Sequence, residues 1–377
     1  MLAAVLLAAF FWYALVPVAG TLISRHRWRV FRERFAFICG KPPLDYSIMR
    51  QNLNGDHYFI GSFEAITGNT TLWVKNDSLT VPVLLKNAQT YMAPLGGKKR
   101  RMTAGEKLYA DANDFDAFAE APRRLNWNRI SALTAGAKVF IGGALRQVDG
   151  WQVFTALKGQ PLLVIFYECS EQALGAGVLR AGRYRNEYWN PVTPYALIGG
   201  FFSLVWIALT FFARPVYRTV VLSAITALFG PLVPFLPPGL VFTLFYRHLW
   251  QRSCLYRVFR DAVTLPLKYL KPEYVCRKFD GQISGEGLPR LIPADAPEKN
   301  ETWYVSGIIR DDAGQPPVLE APPNPFLPYG LIPGRPKVIS RIYNRNALLL
   351  EIAAWSVLAA GIALNALFAE LIIYFTR

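Results

Sequence analysis

The chain has 377 residues, 53% of them hydrophobic, with 41 Lys and Arg against 26 Asp and Glu and a formal net charge of +15. That is too apolar for a soluble enzyme and too polar for a transporter made wholly of helices, so about half of the chain is expected outside a bilayer. Cys39, Cys169, Cys254 and Cys276 stand far apart and His26, His57 and His248 are isolated, a pattern that suggests no disulfide framework, no metal site and no cofactor.

Met1 to Ile23 is the first of four apolar stretches long enough to cross about 30 Å of hydrocarbon. A cleaved signal peptide, with Val16-Pro17-Val18-Ala19 near its end, is the alternative; Met1-Leu2-Ala3-Ala4 lacks the basic n-region one requires. Residues 24–56 read as a basic juxtamembrane helix and linker. Trp28, Phe31, Phe35 and Ile38 recur on one side and arginines on the others. This fits a helix in the headgroup layer, with Arg25, Arg27, Arg29 and Arg32 on anionic lipid, and equally a helix packed on the domain that follows.

Residues 57–168 carry the signals of a small barrel. Strands are predicted over His57–Ile66, Thr70–Lys75 and Leu79–Leu85, the last with clean alternation of Leu79, Val81, Val83 and Leu85. A helix over Asp114–Ala121 is capped by Asn113. Lys138–Gln147 and Trp151–Ala156 are joined at Asp149-Gly150, a hairpin signal, and Leu162–Tyr167 closes the set. Three strands, a helix, then two or three strands, with the glycine-marked run Leu133 to Gly143, resemble an OB-fold, a closed Greek-key barrel. Joining such a barrel to membrane spans is similar in architecture to bacterial NfeD-like membrane proteins, although here the barrel lies between spans. OB barrels often take single-stranded nucleic acid on a basic, aromatic groove. The residues for that are Lys98, Lys99, Arg100, Arg101, Arg123 and Arg124, with Trp73, Trp127 and Trp151; anionic lipid is the reading that tethering favours, leaving nucleic acid as the lesser one.

Residues 169–192 read as a juxtamembrane linker whose aromatic and basic belt runs from Gly182 to Pro191. The second span covers 193–213 and the third 219–246. Pro231, Pro234, Pro237 and Pro238 break the third, either as one interrupted crossing or as a re-entrant hairpin, and the backbone groups so freed need partners. Residues 247–346 combine a basic amphipathic stretch, expected along the inner leaflet, with a strand over Glu301–Arg310 and a Pro-rich run over Gln315–Pro336. The fourth span, 347–375, holds Glu351, Asn365 and Glu370. Of these, Asn365 is placed to hold a neighbouring helix, and the two glutamates to reach headgroups. Pairs four apart, such as Gly199 and Ser203 or Ala359 and Ala363, permit close helix contact.

The fold class expected is therefore a four-span α-helical membrane protein with a cytoplasmic all-β OB-like barrel and a small β/Pro-rich segment. Arginines after span one, before span two and after span three put both large segments on the cytoplasmic side and the termini outside, in a bacterial inner membrane. Gly281 to Gly287 lacks the lysine of a phosphate loop, and no hydrolase or metalloprotease signature is present. The leading functional expectation is a non-enzymatic scaffold, adaptor or regulator that contacts lipid headgroups and other membrane proteins or itself. A transport or channel component built on the broken third span, and a tethered nucleic-acid binder, are the alternatives.

Overall fold

The computed structural model of the chain describes residues 2–51, 54–68, 70–93, 122–125, 136–148, 150–157, 159–183, 188–237, 239–269, 277–278, 303–310, 318–320, 322, 324–327 and 329–376. The predicted helix over 114–121 lies outside them. Two units are formed, one from residues 1–29, 182–257 and 344–377, the other from 30–181 and 258–343. Among the described residues the α-helices are α1 (Leu2–Phe10), α2 (Val16–Cys39), α3 (Tyr46–Arg50), α4 (Glu171–Arg180), α5 (Thr193–Phe212), α6 (Arg218–Leu228), α7 (Gly239–Tyr269) and α8 (Pro336–Thr376).

The first unit is helical. A π-helical turn, Phe11–Leu15, joins α1 to α2. The first apolar stretch and the basic segment after it are thus one helical run, because only the hydropathy changes at Ser24 and nothing there removes a backbone donor. Among the described residues three helices are long and apolar enough to cross a membrane: Ala3–Cys39, Thr193–Phe212 and Pro336–Asn365. The third apolar stretch of the sequence is not among them. It divides into α6, a 3₁₀ segment over Gly230–Phe235, and the first turns of α7, since Pro231 and Pro234 supply no N–H.

This divided stretch advances in one direction. Val220 and Ala224 pack in one cluster with Val5 and Leu204; a Cβ on Gly230 would lie 3.8 Å from the Tyr13 ring; and Trp250 lies under the Arg25 guanidinium, 5.6 Å from ring centroid to carbon. Val5, Tyr13 and Arg25 follow one another along α1 and α2, so the chain from 218 to 250 continues onward past the break instead of doubling back as a re-entrant hairpin. Close helix contact is made by glycine: a side chain on Gly199 or Gly200 would enter the Trp12 and Tyr13 rings, and one on Gly361 would meet Phe242. Ala359 and Ala363, expected at such contacts, are exposed.

The second unit is built on a barrel. Its strands are β1 (Gly55–Thr67), β2 (Thr71–Lys75), β3 (Thr80–Leu84), β4 (Gln89–Met92), β5 (Arg123–Arg124), β6 (Lys138–Val148), β7 (Trp151–Thr155) and β8 (Leu163–Tyr167). Long β1 pairs with β2 through its second half and with β6 through its first. Gly61 sits at the change of partner, where a Cβ would come within 2.5 Å of the Lys75 carbonyl oxygen. β2 pairs with β3 and β6 with β7, and β3 meets β7 in parallel at Val83 and Phe154. The ring β1-β2-β3-β7-β6 is thereby closed. β8 pairs with β6 beside β7 and carries β4 and then β5 outward. Alternation along these strands fills the ring with Phe59, Phe63, Leu72, Val74, Val81, Val83, Val139, Ile141, Leu145 and Phe154, which makes it a packed core, not a cup.

Two polar side chains interrupt that apolar interior. Both amide atoms of Gln152 are buried without a hydrogen-bonding partner among the described residues. Gln152→Leu is therefore expected to raise the unfolding free energy by about 1 kcal/mol, read by denaturant titration of barrel fluorescence. His57 is buried, with Nδ1 3.4 Å from the Pro42 carbonyl oxygen. Burial lowers its pKa from 6.5, against opposing pulls from that carbonyl and from Asp56. The unfolded imidazole takes its proton near 6.5 and the folded one only at lower pH, so the stabilisation is full above 6.5 and declines as the pH falls through that value. His57→Gln should remove this part of the acid sensitivity, measured as unfolding at about pH 7.5 against about pH 5.5.

The outer face of the barrel is covered by α2. Phe31 packs on Tyr91 with ring centroids 4.2 Å apart and Phe35 on Phe140 at 5.1 Å, both pairs tilted, while Ile38 occupies the space a side chain on Gly142 would fill. Of the two readings of this aromatic stripe, packing on the following domain is therefore the one adopted. Asn324 and Phe326 of the Pro-rich run lie on the same face: the Asn324 amide donates to the Cys39 carbonyl oxygen at 2.7 Å, and Phe326 meets Phe35, Tyr58 and Phe140 edge to face. Residues 169–192, read as linker, contain α4, which is capped by the Ser170 hydroxyl accepting from the Ala173 N–H.

Among the described residues this unit also holds two small sheets, one of β9 (Arg277–Lys278), β10 (Trp303–Ser306) and β13 (Gly330–Pro333) with β10 in the middle, the other of β11 (Ile308–Arg310) paired with β12 (Val318–Glu320). Gly307 splits the single strand expected over Glu301–Arg310. Val263 of α7 is buried with Ile332 and Ile339. The apolar face of this amphipathic stretch thus packs on protein, which corrects its expected place along a lipid leaflet.

Candidate functional site

Three places gather the polar and aromatic side chains that could act. The first is an aromatic pair on the barrel surface. Leu72 and Val74 point inward, so Trp73 between them points out, where its indole N–H donates to the Thr67 hydroxyl at 3.0 Å. Trp151 opens β7 opposite Val148 and is 65% exposed. The two rings stand edge to face with centroids 6.5 Å apart, at turns whose Gly68 and Gly150 adopt positive φ with open space around them. Such a pair offers a flat apolar face for stacking and an indole edge for polar contact. Arg123 and Arg124 are exposed on β5; Lys98, Lys99, Arg100, Arg101 and Trp127 lie outside the described residues.

The second place is a set of buried ion pairs. In the helical unit Glu351, expected at the headgroups, is buried and accepts from Arg257 at 2.6 Å, with Arg25 at 4.0 Å from its other oxygen. Arg25 also covers Trp250, which packs with Tyr246 and Trp355. In the barrel unit Arg32 and Asp261 are buried together, Nε to Oδ2 3.3 Å, and Arg260 holds the other carboxylate oxygen at 2.7 Å. Arg32 also donates to the Ala181 carbonyl. This corrects the assignment of Arg32 to lipid, since a side chain enclosed and neutralised by Asp261 has no face left for a headgroup. Arg27 and Arg29 remain exposed.

The third is the break in the third apolar stretch. Asn365 spans it: its amide donates to the Leu236 carbonyl at 3.1 Å and its oxygen accepts from the Gly239 N–H at 3.1 Å. The Thr243 hydroxyl donates to the Pro234 carbonyl at 2.7 Å. Pro231 and Pro234 lie in the 3₁₀ segment and Pro237 is exposed after it; Pro238 and the side chain of Glu370 lie outside the described residues. The first helix has a similar device. Pro17 leaves the Tyr13 carbonyl without its helical donor, and the Tyr188 hydroxyl supplies one at 2.8 Å, while the Asn190 amide binds the Pro17 carbonyl at 2.8 Å.

Among the described residues no three His, Cys, Asp or Glu side chains converge as metal ligands. Reading the sequence singled out Asn365 and the Trp73 and Trp151 pair, and missed Asp261, Arg257, Thr243 and Asn190. Asp261 had a signal: it is a lone acid within a run of basic and apolar residues. Comparison with protein-family models, with characterised proteins and with solved structures gives no match for this chain.

Proposed function

We propose that this is a non-enzymatic integral membrane protein that presents an OB-like barrel as a recognition module, acting as scaffold, adaptor or regulator of a membrane complex. The outward pair of exposed Trp151 and half-buried Trp73, on a barrel whose interior is already full, carries this reading. A filled barrel recognises through its surface, and a paired, outward tryptophan face is the kind of anchor that protein interfaces use. The OB assignment is supported by the strand order β1-β2-β3-β7-β6, with β3 parallel to β7. Four crossings, the third in two pieces, with both large segments cytoplasmic in a bacterial inner membrane, complete the proposal. Its support is the onward course of residues 218–250 and the arginines that follow the apolar runs.

Transport through the broken stretch is less well supported, because Asn365 and Thr243 already engage the backbone groups that a solute would need. Single-stranded nucleic acid is the second reading, favoured by the same tryptophan pair as a stacking platform. The test is purification of the full chain from its native membrane in mild detergent, with bound protein, lipid and nucleic acid assayed in one sample. A stoichiometric protein that leaves when Trp73 and Trp151 are changed to serine is expected. Bound nucleic acid in its place would move the second reading to the front, and a homo-oligomer with neither would sink the adaptor.

A further inference from the structure

The geometry points to a collar of arginines at one end of the helical unit that binds anionic phospholipid headgroups; this rests on the membrane reading proposed above. Two contacts set a common level across three helices: Trp250 under Arg25, and the Ser253 hydroxyl on the Ala347 carbonyl at 2.9 Å. At a rise of about 1.5 Å per residue, Arg27 and Arg29 of α2 and Arg247 and Arg252 of α7 lie within about 6 Å of the first contact along their helices, and Arg345 of α8 about 3 Å from the second. All five are exposed. On each helix the arginines adjoin exposed apolar side chains, Leu22 and Ile23, Leu244 and Phe245, and Leu348 and Leu349. Acyl chains on that apolar surface would hold their phosphates against the guanidinium groups, which bind phosphate oxygens in a two-pronged geometry.

Charge balance separates this collar from an ordinary solvated face. The unit's acidic residues are Glu187, Glu351 and Glu370, and the one whose side chain is described, Glu351, is buried and already paired with Arg257. The collar arginines therefore have no described acid of this unit left to balance them, and they face an external anion. Lipid phosphate fits better than free phosphate because the apolar surface beside each arginine engages the tails of the same molecule.

The experiment reconstitutes the full chain in phosphatidylcholine vesicles and measures quenching of its tryptophan fluorescence by spin-labelled phosphatidylglycerol or spin-labelled phosphatidylcholine. The anionic lipid is expected to associate more tightly, by about five-fold for each arginine it engages. This preference should fall with added salt and approach unity when Arg27, Arg29, Arg247, Arg252 and Arg345 are changed to glutamine. Arg214→Gln with Arg218→Gln, at the link between α5 and α6, should leave it unchanged. Equal quenching by both lipids in the unmodified protein at low salt would overturn the collar while leaving insertion intact. No quenching by either would overturn the membrane reading, and the collar with it.

Discussion

Changing Asp261 to alanine is expected to lower the unfolding free energy of the barrel unit by about 3–5 kcal/mol, the range for breaking a buried ion pair from one side. Asp261 is 4% exposed and holds two arginines: Arg32, 5% exposed, at 3.3 Å, and Arg260 at 2.7 Å. Without the carboxylate, the buried Arg32 guanidinium loses the charge that neutralises it, and a bond such as that to the Ala181 carbonyl does not replace it. Replacing both members, Arg32→Met with Asp261→Leu, removes the stranded charge and should recover most of the loss. Unfolding in detergent followed by fluorescence measures both variants. A loss under about 1 kcal/mol for Asp261→Ala would mean that Arg32 reaches water and that the pair is not enclosed.

The second large effect is expected at Asn365. Changing it to leucine strips the buried Gly239 N–H of its partner and leaves the Leu236 carbonyl with the Leu240 N–H alone. An orphaned buried donor costs about 1–3 kcal/mol and a lost second bond about 1 kcal/mol, so a combined loss of roughly 2–4 kcal/mol is expected. Asn365→Asp keeps the acceptor for Gly239 but not the donor for Leu236, and should fall between. Thermal unfolding in detergent ranks the three proteins. A leucine variant as stable as the original would show that the break is satisfied without α8, and would return the third stretch to consideration as a ligand site.

How much of this was legible in the sequence depends on how local each cause is. The barrel strands were, because Leu79, Val81 and Val83 alternate and Asp149-Gly150 marks a hairpin; β1, β2, β3, β6 and β7 begin and end within two residues of their predicted bounds. β4 was not, since Gln89–Met92 has no alternation of its own and exists as a strand through pairing with β8. α4 had a start signal in Ser170 and Glu171, but Gly175 and Gly177 argue against a helix until burial of Ala173, Leu174 and Val178 outweighs them.

The membrane half shows the same division. Apolar length marked the helices and the prolines marked the break in the third stretch, and among the described residues three long apolar helices and one interrupted run are found. Of the site residues, Asn365 was legible as a polar group inside an apolar run, whereas its bond to Gly239 depends on two helices meeting. Arg32 shows the limit most clearly. Its neighbours Arg25, Arg27 and Arg29 look the same in sequence, and only the position of Asp261 on a different helix turns Arg32 inward.

The central claim is that the tryptophan face of the barrel docks another membrane protein. It is tested most directly by placing a photo-cross-linking amino acid at Trp151 in the full chain and irradiating intact native membranes. A discrete protein adduct at that position, absent when the cross-linker stands at exposed Lys138 of β6, is the predicted result. No adduct above the Lys138 control, or adducts to nucleic acid alone, would contradict it.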